Sequence, residues 1–304
     1  MDDLIADFQL GGQNERARAA RTPNRRNPLG GEVVTGDAYA SGQEPEIRID
    51  TSVAHPARVW DYWLGGKDHY PADVEVGDQL EETIPEVVLW ARADREFLGR
   101  VVRHVIGEGV RQFLDIGTGI PTRDNTHQVA QRLAPESRVV YVDNDPVVLA
   151  HARALLNSSS EGATDFIDAN LHDPDTILDE AARTLDFTKP VLVTLLGILE
   201  FSVTDEAYTI VNRVLEPFPS GSFLAIACPS NETNTEAMDE VARKWNDSGA
   251  TPIIMRSAAG LKRFFEHMDL LEPGLVPLPQ WRPDTGTLYA DRGMDFYCAV
   301  GRKP

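Results

Sequence analysis

The stretch Gln112-Phe113-Leu114-Asp115-Ile116-Gly117-Thr118-Gly119-Ile120-Pro121-Thr122 decides how this chain folds. Its first half is a short apolar strand closed by a carboxylate, Asp115, and its second half turns on two glycines. Further along, Val139-Val140-Tyr141-Val142 is again an apolar strand closed by an acid, Asp143. A glycine turn after one strand and an acid after the next is the layout of a nucleotide site at the carboxyl ends of an open α/β sheet.

Working outward, apolar periodicity alternates between strand and helix. The spacing predicts helices over 124–133 (capped by Thr122 or Asp124), 146–157, 175–185 and 205–215. Strands are predicted over 138–142, 164–167, 191–196 and 222–228. Val191 to Leu196 is continuously apolar, as a strand buried on both faces should be. Such alternation implies a mostly parallel sheet with helices on both faces. Beyond Cys228 the rhythm loosens into helices over 235–245 and 257–267, the second with Ser257 as N-cap, and a final strand over 295–300.

Upstream of the glycine turn, Val59, Trp60, Trp63 and Leu64 share one face of a short helix that Gly65-Gly66 stops. A glycine pair flanked by aromatic and charged residues exceeds what a helix stop needs, so a ligand contact stands there as the alternative to a plain helix stop. Residues 80–106 are predicted helical, broken near Pro85, with Arg92, Arg95, Arg100 and Arg103 expected on solvated faces. Residues 1–46 carry glycine, proline and clustered arginine, and are expected to form a flexible arm, with a partner- or dimer-contacting arm as the alternative.

Composition narrows the function. A hydrophobic content of 42% and a charged content of 25% suit a globular core. The net charge of −19 repels nucleic-acid phosphates and disfavours a DNA- or RNA-binding role. The two cysteines, Cys228 and Cys298, fall in apolar runs and suit small buried hydrophobes in a reducing compartment. The acidic start lacks a signal-peptide pattern, and no apolar run approaches the roughly 20 residues of a membrane span. No membrane contact and a cytoplasmic location are therefore expected.

The glycine turn also restricts the ligand. The third glycine of a dinucleotide fingerprint is missing, and Asp115 would repel a pyrophosphate while attracting a cation. No P-loop run occurs. A ligand with ribose and adenine, no phosphate and positive charge fits, and S-adenosyl-L-methionine has those features.

Three blocks carry a family resemblance: Ala57-Arg58-Val59-Trp60-Asp61-Tyr62-Trp63-Leu64-Gly65-Gly66-Lys67-Asp68, the Phe113 to Thr122 turn, and Val139 to Pro146. Trp281-Arg282-Pro283 matches as well. From about residue 47 onward the chain resembles the class I S-adenosylmethionine-dependent methyltransferases, and within them the actinobacterial S-adenosyl methyltransferase family, formerly a domain of unknown function. The resemblance implies a Rossmann-like fold with an antiparallel C-terminal strand. It divides residues 47–304 into a helical lid (47–106), a cofactor-binding half (107–228) and an acceptor-side half (229–304).

By the same resemblance Asp115, Gly117, Thr118 and Gly119 would border the methionine end of the cofactor. Asp143, with Asn144 beside it, would hold the ribose hydroxyls, and Asp168 and Asn170 would sit near adenine. Leu196 and Gly197, leading to Glu200, would line the reaction centre. Arg58, Tyr62, Gly65 and Gly66 would contact the cofactor from the lid. Asp94 stands where the family is expected to have asparagine, and no role is carried onto it.

Methyl transfer from a sulfonium is an in-line displacement that chiefly needs alignment and exclusion of water. A general base is needed only for an acceptor that is protonated at working pH. His69, His127, His172 and Glu200 are the candidates, each with a structural or surface reading beside it. A small-molecule acceptor is expected, with a catalytically silent S-adenosylmethionine-binding regulator as the alternative and an oxidoreductase third. A homodimer through the arm or the 229–290 region stays open, and no metal is expected.

Overall fold

The computed structural model describes residues 49–155, 158–287 and 292–304, with no side chain described for 153–155; the expected arm at 1–46 lies outside these. Three helices come first: α1 (Pro56–Trp63), α2 (Pro71–Thr83) and α3 (Val87–Gly107). Then β1 (Gln112–Ile116), α4 (Thr126–Leu133), β2 (Arg138–Asp143), α5 (Pro146–Leu155) and β3 (Ala163–Asp168) alternate. α6 (Pro174–Ala181), β4 (Leu192–Leu196), α7 (Glu206–Leu215) and β5 (Phe223–Pro229) continue the pattern. The last third holds α8 (Thr235–Asp247), α9 (Ala258–Lys262), the short strands β6 (Asp269–Leu270) and β7 (Val276–Pro277), and β8 (Phe296–Arg302).

Two local predictions shift. α2 begins at Pro71, where a loop was expected, because proline suits the first turn of a helix and Asp73 accepts the N–H of Tyr70 at 2.8 Å. The N-cap of α4 is Asn125, not Thr122 or Asp124; its N–H donates to Gln128 Oε1 at 2.9 Å.

The sheet runs β3-β2-β1-β4-β5-β8-β6, with β7 also paired to β8. β1 to β5 are mutually parallel and β8 is antiparallel to β5. The period of two along each strand sorts side chains onto the two faces. Phe113, Val139, Tyr141, Leu192 and Phe223 pack toward α1, α3 and α8, while Leu114, Val140, Val193, Leu195 and Leu224 pack toward α6, α7 and α9. Both faces are covered, which is why β1, β4 and β5 are buried almost throughout. Cys228 and Cys298 are free and buried on adjacent strands.

The arginines of α3 depart from expectation. Arg100 is 4% exposed, and donates from Nε to Trp281 O and from Nη2 to Leu278 O, each at 2.8 Å. The Trp281 ring packs edge-on against Phe97 at 5.4 Å. The Trp281-Arg282-Pro283 run therefore pins α3 to the end of the chain. Arg103 behaves as predicted, pairing with Asp284 on the surface.

Candidate functional site

A cleft with about 1280 Å³ of void, partly open to solvent, lies at the carboxyl ends of β1, β2 and β4. The glycine turn forms its floor. Gly117 and Gly119 have φ of +78° and +66°, backbone that side chains resist. A Cβ on Gly117 would come within 2.9 Å of Ile198, whereas at Gly119 nothing lies within 4 Å, so that position opens onto the cleft. Thr118 anchors the turn by donating from its hydroxyl to Asp115 O at 3.0 Å.

The acid of β2 braces the same turn. Asp143 Oδ2 accepts the N–H of Gly119 at 2.8 Å, while Oδ1 accepts those of Asn144 and Asp145 at 2.9 and 3.0 Å. Burial raises the Asp143 pKa against the lowering effect of these donors. Asp115 is held by two hydroxyls, Thr126 Oγ1 at 2.5 Å and Thr194 Oγ1 at 2.7 Å, and burial raises its pKa too. Asp115, Gly117, Thr118, Gly119, Asp143, Asn144, Asn170, Leu196 and Gly197 all line the cleft.

Arg58, Tyr62, Gly65, Gly66 and Asp168 do not line it. α1 is nonetheless a wall, but through the face bearing Ala57, Trp60, Asp61 and Leu64. Tyr62 points away and donates to Asp78 Oδ1 at 2.5 Å. Arg58 is buried beneath the helix, donating to Asp50 O and Val53 O at 3.1 and 3.2 Å and lying 3.6 Å from Asp145. Gly65 has φ of +76° and ends the helix, and a Cβ on Gly66 would lie 1.8 Å from Asp61 Oδ1. The glycine pair thus lets the chain fold tightly onto Asp61, whose Oδ2 accepts the Asp68 N–H at 2.8 Å. Asp168 is exposed at the end of β3, and Ala169 to His172 form the rim instead.

Asp94 and Arg95 line the cleft without having been expected there. Asp94 is 5% exposed, its Oδ1 has no hydrogen-bond partner among the described residues, and burial pushes its pKa up to about 7. Arg95 Nη2 donates to Asn125 Oδ1 at 3.1 Å, but its buried Nε is likewise unpartnered. The signal was in the sequence: Asp94 follows Trp90 and precedes Phe97 and Val101 at helical spacing, which puts it on the apolar face of α3.

The general-base candidates are dispersed. His127 is buried against Tyr141 Oη at 2.8 Å, and burial lowers its pKa. His69 Nδ1 lies 2.9 Å from Asp61 Oδ2, outside the cleft. His172 stands at the exposed rim with Nδ1 2.9 Å from Asn170 Oδ1. Glu200 lines a second cavity, with about 440 Å³ of void that is partly open solvent, which shares Trp60 and Phe201 with the cleft. No group of His, Cys, Asp and Glu among the described residues could hold a metal ion. No described helix is long and apolar enough to cross a membrane.

The model of the S-adenosyl methyltransferase family matches residues 42–304. A solved structure of a DUF574 family protein from Streptomyces avermitilis MA-4680 is 47% identical; the match covers 84% of this chain and 100% of that one, with a TM-score of 0.79. A second, described as a "putative methyltransferase" from Thermobifida fusca YX, is 35% identical over 84% of this chain and 96% of that one, with a TM-score of 0.76. No curated protein matches the chain. The glycine turn, the acid of β2 and the sheet order thus belong to a known lineage: this chain is a member of the S-adenosyl methyltransferase family, with S-adenosylmethionine as its cofactor.

Proposed function

We propose that this methyltransferase acts on a small, largely apolar acceptor seated in the second cavity. The observation that carries this reading is the wall common to the two spaces. Trp60 and Phe201 line both, so a ligand in the second cavity lies next to the cofactor cleft. The net charge of −19 disfavours a nucleic-acid acceptor.

The cleft suits the cofactor chemically. Among the orphaned polar atoms of the lining residues are an acceptor, Asp94 Oδ1, and a donor, Arg95 Nε, on adjacent residues of α3. A methionine tail carries an ammonium and a carboxylate, which complement that pair. In this reading Asp143, which lines the cleft beside the glycine turn, takes the ribose hydroxyls, and the open side of Gly119 admits close approach of a ligand to the backbone. When bound, S-adenosylmethionine supplies a methyl group already activated by a positively charged sulfur. The residues of the chain then orient and dehydrate. Gly197, at φ +63°, brings its backbone against Trp60, where a Cβ would lie 3.0 Å from the ring. Close packing at that wall fixes the direction from which an acceptor reaches the methyl group, and orientation can supply up to roughly 7–11 kcal/mol.

The test is a transfer assay with isotopically labelled methyl donor and a metabolite extract, followed by mass spectrometry of labelled products. A labelled compound of low mass supports the reading. Label found only in protein or nucleic acid overturns it. Tight cofactor binding with no labelled product favours the regulatory binder.

A further inference from the structure

We propose that the acceptor is a hydrophobic amine, seated with its nitrogen beside Glu200 and its apolar body among Trp60, Trp63, Trp90, Trp245, Phe201 and Phe296. This deepens, and rests on, the assignment of the second cavity as the acceptor site.

Aromatic side chains dominate that cavity. Trp60 and Trp90 pack against Phe296 at 5.9 and 5.6 Å between ring centroids, and Phe201 packs against Trp245 at 6.0 Å. Aromatic faces carry negative electrostatic potential and attract desolvated cations. Glu200 is the one ionisable side chain among the described residues lining this space. It is 4% exposed; its carboxyl meets the Cys228 thiol at 3.7 Å and its own backbone N–H, and burial outweighs both. A carboxyl buried among aromatic rings is favoured by a further partner that donates and carries positive charge.

The one cation that acts on Glu200, the buried Arg256, lowers its pKa through space but spends its hydrogen bonds on backbone carbonyls. Cys228, on β5, is itself buried and uncharged, its pKa raised by burial. Arg256 donates to Leu199 O at 2.7 Å and also to Ser202 O. Asp94, on α3, adds like charge. Burial pushes Glu200 up to about 8, so the empty cavity holds it protonated near neutrality. An anionic acceptor would meet no cation on these walls. An alcohol would gain a hydrogen bond but no charge stabilisation from the rings.

The chemistry balances with these groups alone. The acceptor enters as its ammonium form as Glu200 loses its proton to solvent, giving an ion pair. Return of an ammonium proton to Glu200 frees the nitrogen lone pair. That pair forms the new N–C bond to the methyl carbon, the C–S bond breaks, and its electrons remain on sulfur. The products are S-adenosylhomocysteine and a methylated ammonium ion, whose charge stays over the aromatic faces. Across the reaction one proton leaves to solvent.

Three probes of similar shape test this with the full chain and S-adenosylhomocysteine present: 2-phenylethylamine, 2-phenylethanol and 3-phenylpropionate. Tryptophan fluorescence and calorimetry report binding without turnover. The amine is expected to bind at least about tenfold tighter than the alcohol, with the carboxylate weakest. Near pH 7 amine binding should release close to one proton, read from calorimetry in buffers of different ionisation enthalpy, and alcohol binding none. Glu200→Gln should bring the amine to the affinity of the alcohol. Equal or tighter binding of the alcohol or carboxylate, or amine binding without proton release, overturns the proposal in the unaltered protein. If S-adenosylhomocysteine binds but none of the probes does, the acceptor-cavity reading itself fails, and the proposal with it.

Discussion

The carboxylate of Asp143 accepts the backbone N–H of Gly119 at 2.8 Å, so the acid that closes β2 holds the glycine turn that follows β1. One side chain thereby shapes the floor of the cleft, and on the proposed reading it also holds the ribose. Asp143→Ala should weaken cofactor binding by about 1–3 kcal/mol, the scale of a lost charged hydrogen-bond partner. Calorimetry with S-adenosylhomocysteine measures it. An unaltered affinity would place the ribose elsewhere.

Asp94 and Arg95 should act together on the amino-acid tail of the cofactor. Arg95→Gln is expected to reduce affinity by about 1.5–3 kcal/mol. Asp94 has its pKa raised to about 7 by burial, and it must ionise to pair with an ammonium. Cofactor affinity of the parent, relative to Asp94→Asn, should therefore rise as pH goes from about 6 to 8. A constant ratio across that range would remove Asp94 from the contact.

Gly66 is expected to matter for structure and not for ligand contact. A Cβ there would lie 1.8 Å from Asp61 Oδ1, a clash with a side chain buried at 4% exposure. Gly66→Ala should cost about 2 kcal/mol or more of stability. Urea unfolding reads the cost, and a midpoint within error of the parent would show that the loop yields freely.

Glu200 should make stability depend on pH. Burial pushes its pKa in the folded chain up to about 8, against 4.5 for an ordinary exposed glutamate. Between those values the folded state binds more protons than the unfolded state, so the contribution of this group falls as pH rises from about 4.5 to 8 and is flat outside that window. Glu200→Gln should remove this part of the slope, so the stability difference between variant and parent should shift in favour of the variant by a few kcal/mol across the window. Parallel urea titrations from pH 5 to 8.5 test it, and identical slopes would contradict the buried, protonated carboxyl.

The sequence by itself determined the sheet and the floor of the cleft. Asp115, Gly117, Gly119 and Asp143 were legible because each sits where a strand ends, and strand ends are set by local alternation and by glycine's access to positive φ. It could not determine which side of α1 faces the ligand. Trp60 and Asp61 face the cleft while neighbouring Tyr62 bonds to Asp78, because the packing of α2 and β8 chooses the orientation of the helix. Arg95 and Arg100 read as surface until α3 was seated: one then reached the cleft and the other the carbonyls of Leu278 and Trp281. The aromatic cavity was the least legible feature. Its walls come from α1, α3, α8, β8 and the turn after β4, and an apolar residue that lines a space has the same sequence signature as one that fills a core. Only the relative placement of those elements decides whether their side chains meet or leave room for a ligand.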